Sequence, residues 1–289
     1  MNPYPGYEGK YFSMPHRNVI PKPMQKPHPP LWMACSNRDS VQLAAHLGMG
    51  ALTFAFVNAE EAKFWVDEYY DSFKTRCTPI GQSVHPNVAM LTGFMCDQDN
   101  ETAISKGYEG AQFFAFGLGH YWRDGTHIPG HTHLWNAFKK RPASVIERME
   151  RERKKAGMGG IGSPKQVIQN FRSLEEAGVD QLILLQQSGN YRHEDICQSM
   201  ELFAREVLPE FKERDEKRER IKQDMLMPFI HEAQRPLPPL VPMEEVPPVE
   251  AFALLWNQHT TEPPQSTPDR RPGMSAFWQM QVGGKRSGK

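Results

Sequence analysis

The stretch PKPMQKPHPPLWMACSNRDSVQLAAHLGMGALTF, residues 21–54, decides the fold. Leu31–Cys35 is a short apolar run. Ser36-Asn37-Arg38-Asp39 follows as a cap-like S-x-x-D sequence, and Val41, Leu43, Ala44, Ala45 and Leu47 then recur at helical spacing until Gly48 stops them. Ala51–Val57 is again apolar, so the stretch reads strand, helix, strand. Working outward, Asn58 with Glu61 starts a second helix whose buried stripe is Ala62, Trp65, Val66, Tyr69 and Phe73. Asn87–Cys96 supplies a third strand, and Asp97–Thr102 opens a helix into a long aromatic, His-rich stretch that ends near Pro142. Ser163-Pro164-Lys165-Gln166 places Ser at an N-cap and Pro at the first helical position, ahead of Val167, Ile168, Phe171 and Leu174 and a stop at Gly178. Val179 and Leu182–Leu185 form a fourth strand, apolar on successive residues as a parallel strand covered on both faces must be. A last helix runs from His193 past Phe211, and its extension KERDEKRERIKQD (212–224) reads as a solvated charged face.

The 289 residues carry 34 basic and 34 acidic side chains, a balance that provides no long-range field for nucleic acid or an anionic membrane. Apolar runs such as Leu182–Leu185 and Ala251–Trp256 fall far short of the roughly 20 residues needed to span a bilayer. Cys35, Cys77, Cys96 and Cys197 form no C-x-x-C and follow no signal peptide, which points to neither disulfides nor zinc and fits the cytoplasm. Two regions are expected: a body over residues 1–227, with Met1–Pro30 kept in it, and a Pro-rich, largely disordered tail over 228–289. Within the tail, Val249–Trp256 and Phe277–Trp278 are apolar islands.

Strands separated by helices imply α/β, either an open doubly wound sheet or part of a (β/α) barrel. Residues 21–54 resemble the fifth and sixth βα units of the luciferase-like flavin-dependent monooxygenases. GSPKQVIQNFRSLEEAGVDQLILLQQSG (162–189) and HEDICQSMELFAREVLPEF (193–211) resemble that family's final helix, strand and closing helix. The resemblance covers about residues 4–215. It implies a (β/α)8 TIM-barrel-like fold of which only about the last four βα units are present, an oligomer or a missing N-terminal half, and three alternatives: a truncated reading, a half that pairs with another half, or a noncatalytic relative.

The resemblance also implies chemistry. The N-terminus of a helix leaves N–H groups unpaired and carries partial positive charge, so the Ser36–Ser40 turn suits a phosphate. The amides of Ser36 and Asn37 and the hydroxyl of Ser40 would hold the phosphate of FMN, with Arg38 as an additional charge; Thr53, Phe54 and Phe56 would lie beside the flavin ring. The implied reaction uses reduced FMN, or the deazaflavin F420 in some relatives, with O2 and a small organic substrate, and implies a flavin reductase as partner. The catalytic residues are not read from the sequence. Residues 111–138, AQFFAFGLGHYWRDGTHIPGHTHLWNAF, suit a Gly-hinged lid, mobile over Gly117–Gly130, in which His120, His127 or His131 could act on the reaction. His127, His131 and His133 have ligand-like spacing, but no carboxylate or Cys completes a metal site and Pro129-Gly130 breaks any helix between them.

Overall fold

The computed structural model describes residues 4–14, 16–53, 57–121, 125–156 and 159–237, with only the backbone of 152–156. The chain divides into two units, Met24–Pro238 and a second that groups Met1–Pro23 with Pro239–Lys289. In the second unit, β1 (Tyr7–Glu8) and β2 (Ser13–Met14) pair antiparallel, and a Tyr4–Arg17 bridge extends the hairpin.

The larger unit is α/β. Strands β3 (Trp32–Cys35), β4 (Gly50–Thr53), β5 (Val88–Cys96), β6 (Gly160–Gly162) and β7 (Gln181–Leu185) form one parallel sheet; β4 lies between β3 and β5, and β5 pairs in addition with β6 and β7. Helices α1 (Arg38–His46) and α2 (Ala59–Arg76) lead from β3 to β4 and from β4 to β5. The connection from β5 to β6 is longer and holds α3 (Asn100–Gly119), α4 (Leu134–Lys139) and α5 (Ala143–Ala156). Helix α6 (Pro164–Glu176) precedes β7, and α7 (His193–Glu206) and α8 (Leu208–Gln234) follow it.

Cap chemistry sets the helix ends. The Asn58 side chain accepts from Glu61 N at 2.9 Å, and Ser163 caps α6 with Pro164 in its first turn, both as the sequence implies. Gly48 (φ +69°) and Gly178 (φ +89°) end α1 and α6 in the same way: each donates to the carbonyl three residues back, and Met49 and Val179 donate to Ala44 and Leu174. Only glycine adopts this left-handed turn without strain, and it delivers the chain into β4 and β7.

Three expectations are corrected. The single long closing helix is two, broken at Val207, because Pro209 has no N–H to continue the ladder to the carbonyl four residues back and is tolerated without cost only in a first helical turn. Helix α8 then runs through Pro228 to Gln234, since burial of Leu226 and Ala233 outweighs the hydrogen bond lost at the proline. The charged extension is not solvated all round: Arg214 and Arg218 grip Glu175, and Lys222 pairs with Asp180 at 3.1 Å. Helix α5 and strand β6 were not foreseen; β6 is Gly-Ile-Gly, which lacks any β-branched run.

One face of the sheet packs on the helices. Cys35, Ala51, Val88 and Met90 join Val41, Ala44, Trp65, Tyr69 and Phe73, while Phe94 and Cys96 join Val167, Phe171 and Leu202. By strand alternation the opposite face carries Ala34, Leu52, Leu91 and Ile183, and Ile183 is 39% exposed. Parallel sheets are otherwise covered on both faces.

At the N-terminal ends of the strands, Asp180 is the tie. Its carboxylate accepts from the Tyr70 hydroxyl (2.6 Å), the Val88 amide (2.7 Å) and the Lys222 ammonium (3.1 Å), joining α2, β5 and α8 beside β7. Burial and the Asp180 charge together push the Tyr70 phenol far above its ordinary range, which keeps it a donor. Asp180→Ala leaves Lys222 without this partner and should cost about 3–5 kcal/mol by urea unfolding; a loss under about 1 kcal/mol would show the tie to be dispensable.

His85 stacks edge-on against Trp32 at 4.7 Å, and burial first, then the Lys222 charge, lowers its pKa. The unfolded imidazole takes up its proton near pH 6.5, whereas the folded one does so only at lower pH. Between those values the unfolded chain binds more protons, so stability falls as pH drops through that window. Thermal melts from pH 7.5 to 5.5 should decline less steeply for His85→Gln; an unchanged slope would remove His85 as the cause.

Candidate functional site

The turn after β3 sits at the C-terminal end of a parallel strand, the end at which α/β barrels build their sites. Its cap is Asn37, not Ser36: Asn37 Oδ1 accepts from Ser40 N at 2.9 Å, and Ser40 Oγ accepts from Asn37 N at 3.2 Å. The cap moved by one residue because this reciprocal box satisfies two of the helix's unpaired donors at once. Ser40 Oγ also donates to Asn37 O at 2.7 Å, so its proton is committed within the turn. The amides of Arg38 and Asp39 remain as the first-turn donors without an intrahelical partner. Ser36, Asn37, Arg38 and Asp39 are exposed. The Arg38 guanidinium is tied to Glu68 on α2, with Nε 2.8 Å from Oε2, and is not a free charge at the turn.

Cys35, wholly buried beneath the turn, donates its thiol to Met33 O and Ser40 O at 3.3 Å, and burial raises its pKa. It is a buried hydrogen-bond donor rather than a nucleophile. Thr53 lies in register with Cys35 and Met90, on the face of β4 that bears Ala51, and donates its hydroxyl to Ala89 O at 3.1 Å. It ties β4 to β5, and alternation puts Leu52 rather than Thr53 on the opposite face. Phe54 and Phe56 lie outside the described residues.

Residues 111–119 of the expected lid are helical: α3 continues to Gly119, so Gly117 and Gly119 are not hinges, and among the described residues 125–133 are non-helical. Helix α3 covers the C-terminal part of the otherwise open sheet face. A Cβ at Gly107 would lie 2.4 Å from Met95 Cβ, and one at Gly110 would lie 2.1 Å from the Tyr191 ring, so both glycines let the helix backbone approach. The chain after β7 clasps that backbone: Ser188 Oγ donates to Gly110 O at 2.5 Å and the Tyr191 hydroxyl donates to Gly107 O. Burial pushes the Tyr191 phenol up to about 12, so it stays a donor.

Helices α3 and α4 share an aromatic cluster in which Phe138 meets Phe113, Phe116 and Trp135 at 5.4–5.5 Å. His120 adjoins it, with its ring 5.5 Å from Phe116 and 6.5 Å from His127, and its buried Nε2 has no hydrogen-bond partner among the described residues. His127 and His131 are exposed, and His133 caps α4 by accepting from Asn136 N at 3.3 Å. Among the described residues no group of three His, Cys, Asp or Glu side chains could hold a metal ion, and no helix is long and apolar enough to cross a membrane.

The sequence model of the luciferase-like monooxygenases matches residues 3–181. The chain belongs to that family, and its parallel βα array is of the family's (β/α) barrel type. Among solved structures it is similar to a monooxygenase from Streptomyces bottropensis, with 20% identity, 71% of this chain and 55% of that one covered, and a TM-score of 0.49. It is also similar to the coenzyme F420 dependent tetrahydromethanopterin reductase of Methanopyrus kandleri (20% identity, 71% and 57% covered, TM-score 0.47). A third is the oxygenating constituent of 3,6-diketocamphane monooxygenase from Pseudomonas putida, in complex with FMN (16% identity, 72% and 58% covered, TM-score 0.45). The chain thus spans about half the length of these structures. No curated protein sequence matches it.

The clasp on α3 admits a direct test. Gly110→Ala sets a methyl against the Tyr191 ring and the Ser188 backbone oxygen, 2.4 Å away, and should cost about 1–3 kcal/mol of unfolding free energy; an unchanged urea midpoint would mean that α3 does not press on this segment.

Proposed function

We propose that this chain supplies the phosphate-binding part of a flavin-dependent monooxygenase site, acting in the cytoplasm on a small organic substrate with O2 and with reduced FMN delivered by a flavin reductase. F420, the cofactor in the name of the Methanopyrus structure, is the alternative cofactor. The observation that carries the reading is the N-terminus of α1, set at the C-terminal end of β3 in a chain of the luciferase-like family. The fit to a phosphate is good at the backbone, where the Ser36, Arg38 and Asp39 amides lie at the positive end of the helix. It is less good at Ser40 and Asn37, since the Ser40 hydroxyl and the Asn37 amide would have to leave the capping box to bind it.

Bound reduced FMN would supply the electrons that activate O2. This chain's own residues would orient its phosphate, and Leu52, with Phe54, would border the ring. The α3–α4 cluster would limit access of water, with His120, the most enclosed of His120, His127 and His131, holding or giving a proton at Nε2. A second reading, a noncatalytic half barrel that pairs with another half, is favoured by the exposure of Ile183 on the open sheet face.

Asn37→Asp separates these readings, because Asp caps as well as Asn but sets a negative charge against the phosphate. FMN affinity of the full chain should fall at least tenfold, while Ser40→Ala should lower it about fivefold or more, as losing one charge-assisted hydrogen bond does. Titrations giving unchanged affinity for both variants, with melting temperatures near wild type, would remove the phosphate turn and leave the noncatalytic reading.

A further inference from the structure

Arg141, between α4 and α5, holds its guanidinium in a way that nothing in the fold fully answers. The ring of Phe138 lies 3.8 Å below it, and Nη1 donates to Phe138 O at 2.7 Å. Nη2 reaches Gln112 Oε1 only at 3.5 Å, and Nε is buried with no acceptor. No carboxylate pairs with this cation among the described residues; Glu150 stands one step away, accepting from Gln112 Nε2 at 3.0 Å. The Nε and Nη2 hydrogens lie on one edge of the guanidinium and form the side-on fork that matches the two oxygens of a carboxylate. A half-buried guanidinium whose edge holds one long contact at Nη2 and none at Nε has lost part of its hydration without gaining an anion.

The surroundings define the rest of the ligand. Phe113, Phe116 and Trp135 pack around Phe138, the ring on which the guanidinium lies, on the long connection that follows the C-terminal end of β5. We infer that Arg141 is an anion receptor and that the α3–α4 aromatic cluster takes an apolar molecule bearing a carboxylate or an equivalent oxyanion. The anion enters between α3 and α4 and replaces the long Gln112 contact, while Gln112 keeps its bonds to Glu150 and the Tyr108 hydroxyl. This deepens the proposed reading by naming a substrate class, and rests on that reading only for the reaction that follows binding.

The test is calorimetric titration of the full chain with octanoate and with octanol at pH 8, with no flavin added, so its outcome is independent of FMN binding. Octanoate should bind at least tenfold more tightly than octanol, the gap expected of charge-assisted hydrogen bonds. Arg141→Met should abolish the difference, and Arg141→Lys, which keeps the charge and loses the fork, should retain part of it. Equal affinities in the wild type overturn the inference whatever the variants do. So does a preference for octanoate that survives in Arg141→Met.

Discussion

The carboxylate of Asp180 is the interaction on which the rest of the larger unit hangs. It is largely buried where the strands begin, and its three partners come from α2, β5 and α8. Removing two charges from water is costly, and the cost is met here because each oxygen of Asp180 has a donor and the tyrosine cannot ionise. The tie fixes the start of β7 against β5 and with it the register Ala89↔Gln181 through Gly93↔Leu185. Every position at the far end of those strands, including the Ser188–Tyr191 clasp on α3, inherits that register.

Polar groups without a partner occur at both ends of the sheet among the described residues. Below, Tyr69, Tyr70 and Asp180 are matched, whereas His85 Nε2 and Asn87 Oδ1 have no partner among the described residues. Above, the Arg38 and Asp39 amides have no partner within α1, and His120 Nε2 and Arg141 Nε have none among the described residues. What sets the upper end apart is the pair of oriented amides at a helix N-terminus, the arrangement a phosphate ligand needs.

Much of this was legible in the sequence where a short-range rule governs. Asn58-x-x-Glu61, Ser163-Pro164 and the stops at Gly48 and Gly178 act within one turn, so residue type alone fixes them. The cap of α1 was misplaced by one residue because Ser36-x-x-Asp39 and Asn37-x-x-Ser40 overlap and both fit the pattern; only backbone geometry chooses. Long-range partners left no local trace. Nothing in KERDEKRERIKQD distinguishes Arg214, Arg218 and Lys222 from their neighbours until Glu175 and Asp180 are brought beside them. The direction of the Thr53 side chain, whose hydroxyl donates to Ala89 O, follows from the pleat and not from its position at a strand end. Arg141 carried no signal at all, since its importance lies in what it lacks.

The central claim is that the turn after β3 recognises a phosphate. Affinities of the full chain for FMN and for riboflavin, which share the ring and differ in that phosphate, test it most directly. The account predicts FMN binding at least tenfold tighter, the margin expected of charge-assisted hydrogen bonds to backbone amides. Equal affinity for the two would contradict it.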